Sequence, residues 1–186
     1  MQSFSRRHLL RLGAAAVALP GALASATAAF ADLAPRKAAF HNLHTGEALE
    51  AVYYEDGKYV PDALSAVNHV LRDFRTGDVH PIDPKLLDLL HTLSAKVERS
   101  EAFQVISGYR SPHTNEVLHN TTTGVASKSL HMQGMAIDIR LADLDLTKLH
   151  DAALGLKAGG VGYYPSSNFV HVDVGRVRSW GGTGAG

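Results

Sequence analysis

The sequence predicts an α+β domain, and two observations carry this prediction. Segments with strand-like and helix-like patterns alternate irregularly, without the regular repeat of a doubly wound sheet. The 186 residues are 45% hydrophobic and 19% charged, which is typical of one globular domain with a buried core. The absence of cysteine excludes a disulfide framework, cysteine-bound zinc and thiol catalysis. The 18 basic and 18 acidic residues balance, which argues against a broad nucleic-acid-binding surface.

The N-terminal segment has the pattern of an export signal. Arg6 and Arg7 stand just before an apolar stretch, and no charged residue occurs from Leu12 to Ala31. The stretch ends in Ala29-Phe30-Ala31, a small-residue cleavage motif. The paired arginines indicate the bacterial twin-arginine route, so we predict that residues 1–31 are a twin-arginine signal peptide. An uncleaved membrane anchor is the alternative, because 20 uncharged residues are long enough to span a bilayer.

Residues 32–186 are then predicted to form a single mature domain. The leader contains three arginines and no acid, so the mature chain carries 15 basic and 18 acidic residues. We therefore expect a mildly acidic protein that is periplasmic or otherwise exported, with no stable membrane anchor after signal cleavage.

The first half of the mature chain predicts a hairpin followed by two helices. Residues 38–44 and 49–54 have strand patterns and flank Thr45-Gly46, a dipeptide typical of a hairpin turn. Apolar residues then recur at helix spacing in two runs, from Pro61 to Phe74 and from Pro84 to Val97.

The second half predicts three strands and two helices. The strands are residues 103–107, 135–141 and 169–174, and the helices are residues 112–118 and 146–156. Residues 120–129 are polar and predict a loop, and Gly159 to Gly162 predicts a turn. The Gly-rich tail from Ser179 is expected to fray.

Two of these strands carry polar side chains on one face. Along residues 135–140 the apolar side chains alternate, which places Asp138 on the face away from the core. Along residues 170–174 valines alternate with His171 and Asp173, which share one face. If the two strands are neighbours, these side chains form one polar site on a rigid floor.

A third residue, His131, lies seven positions before Asp138, where the polar loop enters the strand. Two imidazoles and one carboxylate, from His131, Asp138 and His171, suit zinc and leave a fourth position for water. Such a site can activate water and polarise a carbonyl, as amide hydrolysis requires. The spacing alone leaves open whether these residues bind a metal or have a structural role.

Three ordered motifs together resemble a known family. The pattern Ser-x-His-x-x-Gly-x-Ala-x-Asp runs from Ser129 to Asp138, Val-His-Val-Asp follows at residues 170–173, and Ser-Gly-Tyr-Arg precedes both at residues 107–110. This combination resembles the D-Ala-D-Ala carboxypeptidase-like zinc peptidases, which share their fold with the hedgehog signalling domain. The likeness is strongest to the exported murein endopeptidases of the MepK type. It implies a small antiparallel sheet with flanking helices.

The resemblance also implies roles for individual residues. His131, Asp138 and His171 would bind Zn²⁺. Arg110 would lie beside the metal and hold a substrate carbonyl or carboxylate, stabilising the oxyanion as it forms. Ser129 would form a hydrogen bond with substrate, or would simply cap the loop.

At the position of the general base, this chain departs from the family pattern. Many relatives place an acid three positions before the last histidine ligand, where this chain has Asn168. Asp173 is the available acid, and we expect it to act as the general base. The alternative is that Asp173 orients the histidine ligand.

The resulting hypothesis is an exported zinc peptidase that cleaves peptidoglycan stem peptides or their cross-links. The alternative is a non-catalytic module with zinc that binds wall peptides or a partner. The absence of an acid at Asn168 keeps that alternative open.

Overall fold

The computed structural model describes residues 34–122 and 125–181. The predicted signal peptide, residues 1–31, and the last five residues of the predicted frayed tail lie outside the described residues. No helix in the described ranges is long and apolar enough to cross a membrane.

The described ranges contain eight strands and four α-helices. The strands are β1 (Arg36–Asn42), β2 (Ala48–Glu55), β3 (Lys58–Tyr59), β4 (Phe103–Ser107), β5 (Ala136–Arg140), β6 (Gly160–Tyr164), β7 (Phe169–Asp173) and β8 (Arg178–Trp180). The helices are α1 (Pro61–Val70), α2 (Pro84–Lys96), α3 (Pro112–Thr121) and α4 (Leu146–Leu156), and short 3₁₀ helices span Leu130–Gln133 and Pro165–Ser167.

Side-chain caps fix where three of the helices begin. Asp83, Ser111 and Asp145 each accept a hydrogen bond from a backbone N–H in the first turn of α2, α3 and α4 respectively. Such caps satisfy amides that have no partner within the helix. Proline at the first position of α2 and α3 supports the same boundaries.

The strands form one sheet in the order β3-β2-β1-β4-β5-β7-β6-β8. The α+β class is confirmed, but the sheet is larger than expected and mixed, since β1 pairs parallel with β4 and β6 pairs parallel with β8. The connection from β1 to β4 includes α1 and α2, which provides the long crossover that a parallel pair needs.

Two predictions about the C-terminal segment are wrong. Residues 160–164 form strand β6 rather than a turn, and residues 178–180 form strand β8 at the sheet edge rather than a frayed tail. Pairing explains both differences, because β6 lies between β7 and β8 and its backbone groups are bonded on both sides. Helix α1 also ends at Val70, before the predicted end at Phe74.

The hydrophobic core lies on one face of the sheet. Helices α2 and α4 contact each other there, and Leu87 of α2 is completely buried. Ile137, Ile139 and Val172 belong to the same apolar cluster. Because strand side chains alternate, the neighbours of these residues project from the opposite face, and that face carries the polar site.

Candidate metal centre

A single row of residues crosses five strands of the sheet. Ser107 pairs with Asp138, Asp138 with His171, His171 with Gly162, and Gly162 with Trp180. Directly paired residues project from the same face of a sheet. The predicted adjacency of the two polar strands is therefore present, with Asp138 directly opposite His171.

His131 reaches this row from outside the sheet. It belongs to the 3₁₀ helix that starts after Ser129, whose Oγ accepts a hydrogen bond from the His131 N–H at 3.3 Å. Gly134 ends this helix in the left-handed conformation, with φ of 65°. A Cβ at Gly134 would lie 2.1 Å from the carbonyl oxygen of Pro81, so only glycine fits here.

Three potential ligand atoms converge on one point. His131 Nε2 lies 3.2 Å from Asp138 Oδ1 and 3.1 Å from His171 Nδ1, and His171 Nδ1 lies 2.8 Å from Asp138 Oδ1. Tetrahedral zinc with bonds near 2.1 Å places its ligand atoms about 3.4 Å apart. The separations are therefore close to those that a zinc ion would impose.

The hydrogen bonds of the two rings show that this cluster fits a cation. His131 Nδ1 donates to the Gly108 carbonyl at 2.7 Å, and His171 Nε2 donates to Asp173 Oδ2 at 3.1 Å. These bonds leave lone pairs on the two nitrogens that face Asp138. Three electron-rich atoms then face one another, an arrangement that suits a bound metal ion.

The surroundings favour the ligand forms of His131 and Asp138. Burial lowers the pKa of His131, which keeps the imidazole neutral. Burial alone would raise the pKa of Asp138, but the nearby histidines lower it overall, so the carboxylate stays ionised. For His171, burial alone would lower the pKa, but hydrogen bonds to Asp138 and Asp173 raise it. Zinc binding at His171 therefore competes with a proton.

Arg110 lies beside the cluster, as the family resemblance implied. Its Nη2 donates to Asp138 Oδ2 at 2.9 Å, and its Nε donates to Ser107 Oγ at 3.2 Å. These two bonds hold the guanidinium in place, and no hydrogen bond from its Nη1 occurs within the described ranges. Arg110 and Ser129 both line a cavity that adjoins the cluster.

An open cavity of about 510 Å³ adjoins the cluster. His131, Asp138 and His171 form part of its wall, and Tyr164, Phe169 and Trp180 contribute aromatic surface to it. Trp180 Nε1 donates to the Tyr164 hydroxyl at 2.8 Å, and the indole centroid lies 5.1 Å from that of His171.

Sequence reasoning missed Trp180 because the tail was expected to fray. A Cβ at Gly162 would lie 2.7 Å from the indole ring, so the absence of a side chain there makes room for it. One signal was available, since this is the only tryptophan in the chain.

Asp173 lies behind His171 rather than on the cavity wall. Its side chain is fully buried and accepts hydrogen bonds from His171, from Arg178 and from the backbone N–H groups of Gly160 and Gly175. Burial alone would raise the pKa of Asp173, but these hydrogen bonds lower it overall. The contacts are those of a carboxylate that orients a ligand. Asn168 is exposed and does not line the cavity.

Three residues that could hold a metal ion, at the edge of a cavity on an α+β sheet, have the arrangement of a single-metal hydrolase site. The chain belongs to the peptidase family described as peptidoglycan L,D-endopeptidase MepK, whose pattern matches residues 31–180. The resemblance found in the sequence is thus confirmed, and the protein is a metallopeptidase.

The similarity to curated relatives extends over almost the whole chain. Identity to the peptidoglycan L,D-endopeptidase MepK of Escherichia coli K12 is 43% over 179 residues, covering 95% of this chain and 97% of that protein. Identity to the probable peptidoglycan L,D-endopeptidase MepK of Haemophilus influenzae is 38% over 179 residues, covering 96% of each chain. No solved structure matches the chain.

Proposed function

We propose that this protein is an exported, zinc-dependent endopeptidase that hydrolyses L,D amide cross-links of peptidoglycan. The names of its relatives support the substrate and the bond. The observation that carries the zinc dependence is the convergence of three ligand atoms beside an open cavity.

His131, Asp138 and His171 would hold the zinc ion. Zinc bound there supplies Lewis acidity toward an amide carbonyl and lowers the pKa of water. Asp138 has a second task, because its Oδ2 holds Arg110 at the same place. The ligand carboxylate thus couples the position of the metal to the position of the guanidinium.

Arg110 would bind the carbonyl oxygen of the scissile amide. Two of its nitrogens are engaged by Asp138 and Ser107, so the planar group has a fixed orientation beside the cavity. Its Nη1 would donate to the carbonyl oxygen as negative charge grows there, and a fixed donor needs little reorganisation during the reaction. Ser129 lines the same cavity and would contribute the hydroxyl of a substrate contact.

We favour an orienting role for Asp173 over the general-base role expected from the sequence. The carboxylate accepts from His171 Nε2 and leaves Nδ1 directed at the cluster. A group that is fully buried and bonded to four residues is poorly placed to take a proton from water in the cavity.

Export through the twin-arginine route would bring the enzyme to its substrate in the periplasm. The paired arginines and the cleavage motif within residues 1–31 support this part of the proposal. Replacing Arg6 and Arg7 by lysine should keep the protein in the cytoplasm at its full-length mass. If wild-type protein is exported but keeps its full-length mass, cleavage of the signal is contradicted.

One observation favours the alternative of a non-catalytic binding module. Among the described residues, Asp138 is the only carboxylate that lines the cavity, and the proposed ligand role occupies it. No other acid of the described ranges lines the cavity to move a proton there. A catalytic test therefore has to separate zinc binding from peptide hydrolysis.

The test is muropeptide analysis with metal content measured in parallel. Purified protein is incubated with peptidoglycan, with and without a chelator, and the products are separated and weighed by mass spectrometry. We expect cross-linked dimers to become monomers with masses of L,D cleavage, and His171→Ala to abolish this together with zinc binding. His91→Ala is the matched control, because His91 is exposed on α2 and does not line the cavity. One equivalent of zinc without product would favour the binding module.

A further inference from the structure

The cavity beside the candidate metal site carries more positive than negative side chains. Its described lining contains three cationic side chains, from Arg110, Lys128 and Arg178, against the single carboxylate of Asp138. A cavity with this balance attracts anionic groups and disfavours cationic ones.

Two of the three cations already have carboxylate partners. Arg110 donates to Asp138, and Arg178 donates from both Nη1 and Nη2 to Asp173 at 3.1 and 2.7 Å. Lys128 is exposed and, within the described ranges, has no hydrogen bond or ion pair from its ammonium group. It is therefore the cation of this cavity that is available to a ligand.

The segment that carries Lys128 is anchored on both sides of it. Asn115 of α3 donates from Nδ2 to the carbonyls of Ala126 and Ser127 at 3.1 and 3.4 Å. On the other side, Ser129 caps the 3₁₀ helix that contains the ligand His131. The backbone of Lys128 is thus fixed relative to the metal cluster, three residues from a ligand.

Part of the cavity lining is aromatic. Tyr164, Phe169 and Trp180 contribute it, and they present apolar surface to a bound chain. A peptide in this cavity would therefore meet both an apolar surface and the ammonium group of Lys128.

We propose that Lys128 is a specificity-determining residue, which binds a free carboxylate on the substrate peptide close to the scissile amide. This inference rests on the proposed function for the identity of the peptide, but its charge argument depends only on the cavity. A single charged contact at an accessible site should favour the free acid over its amide by about fivefold.

The test compares two ligands that differ in one group. Cross-linked stem-peptide dimers are prepared with the carboxylates beside the scissile bond either free or converted to primary amides. Uncleavable versions carry a ketomethylene group in place of the scissile amide. Binding is followed by the fluorescence of Trp180, which is the only tryptophan and lines the cavity.

Wild-type protein should bind the free-acid dimer more tightly than the amide dimer. Lys128→Ala should remove this preference by weakening the binding of the free-acid dimer alone. Lys128→Arg should restore most of it, because the charge returns, and rising salt should reduce it. Lys148→Ala is the matched control, since Lys148 is exposed on α4 and does not line the cavity. In turnover of the cleavable dimers, the loss in Lys128→Ala should appear in KM rather than in kcat.

The outcomes separate the two proposals. An equal effect of Lys128→Ala on acid and amide, or an unchanged preference, would overturn the assignment of Lys128 even if the dimers are cleaved. Binding with a Lys128-dependent preference, but without cleavage of either dimer, would support the assignment and overturn the proposed function.

Discussion

Two carboxylates, one on a helix and one on a strand, each accept hydrogen bonds from several donors, with different consequences. Asp88 of α2 accepts hydrogen bonds from Arg36, Tyr53 and Tyr59, which lie on β1, β2 and β3. Asp173 of β7 accepts from His171, Arg178 and two backbone amides. The Asp88 side chain is 28% exposed, whereas that of Asp173 is fully buried.

The difference between them lies in what their donors touch next. The donors to Asp88 are side chains of the N-terminal hairpin, so this carboxylate ties three strands to a helix. One donor to Asp173 is His171, whose other ring nitrogen faces Asp138 in the candidate metal site. The same hydrogen-bond chemistry thus stabilises the fold in one region and, under the proposed function, orients a metal ligand in the other. Each substitution below should affect one of these two functions and leave the other intact.

The largest effect is expected when a ligand is removed. His131→Ala should lower zinc affinity by more than about a hundredfold, the upper limit for loss of an outer-sphere partner. Cleavage of peptidoglycan should disappear with it. Zinc content and muropeptide release measure both quantities, and circular dichroism should show that the protein remains folded. A variant that cleaves at the wild-type rate would remove His131 from the ligand set.

A loss of fold stability, rather than of zinc binding, is expected when a core leucine is truncated. Leu87 is completely buried in the main apolar cluster, and truncation leaves a cavity. Leu87→Ala should reduce the free energy of unfolding by about 2–5 kcal/mol. Denaturant unfolding measures this change, and zinc affinity at low temperature should stay at the wild-type value. Loss of zinc affinity in folded protein would show that core and site are coupled.

An effect of intermediate size is expected when either of the two carboxylates, Asp173 or Asp88, is replaced. Asp173→Ala should lower zinc affinity by about 10- to 100-fold, and saturating zinc should restore much of the activity. Asp173→Asn should be milder, because its amide oxygen still accepts from His171. Asp88→Ala is the control and should reduce stability without changing zinc affinity. If Asp173→Ala has full zinc occupancy but no activity, Asp173 is the general base and the orienting role is wrong.

The sequence predicted the elements that local pattern determines. The bounds of β4 and α4 are as predicted, because alternation and helix periodicity are clear in these segments. The adjacency of Asp138 and His171 also followed from alternation on two strands. Strands β6 and β8 were missed because their stability comes from pairing with neighbours rather than from residue type.

For a similar reason, the sequence could not separate the two roles considered for Asp173. Spacing places Asp173 and His171 on one strand face, and this is equally compatible with a base and with an orienting group. The contacts that support the proposed orienting role come from Arg178 and from the Gly160 amide, which lie on other strands. A Cβ at Gly160 would lie 2.4 Å from Asp173 Oδ2, so this close approach depends on glycine. Only the tertiary structure brings these groups together.

The smallest effect is expected at the exposed edge of the hairpin. The hydrogen bond to Asp88 raises the pKa of Tyr59 to about 12, whereas an unfolded tyrosine ionises near 10. The folded protein therefore keeps this hydroxyl protonated where the unfolded chain loses its proton, so the contribution of Tyr59 to stability is present below pH 10 and is lost toward pH 12. Tyr59→Phe should remove this part of the alkaline loss and cost at most about 1 kcal/mol near neutral pH.

Urea unfolding of Tyr59→Phe and wild type at pH 9 and pH 11 measures this difference. Tyr54→Phe is the control, because its hydroxyl makes no hydrogen bond within the described ranges. The alkaline loss of stability should be smaller in Tyr59→Phe than in Tyr54→Phe, while zinc affinity should be the same in both. Equal losses would show that the bond to Asp88 does not persist in solution, and Asp88 would then tie β1 and β2, but not β3, to the helix.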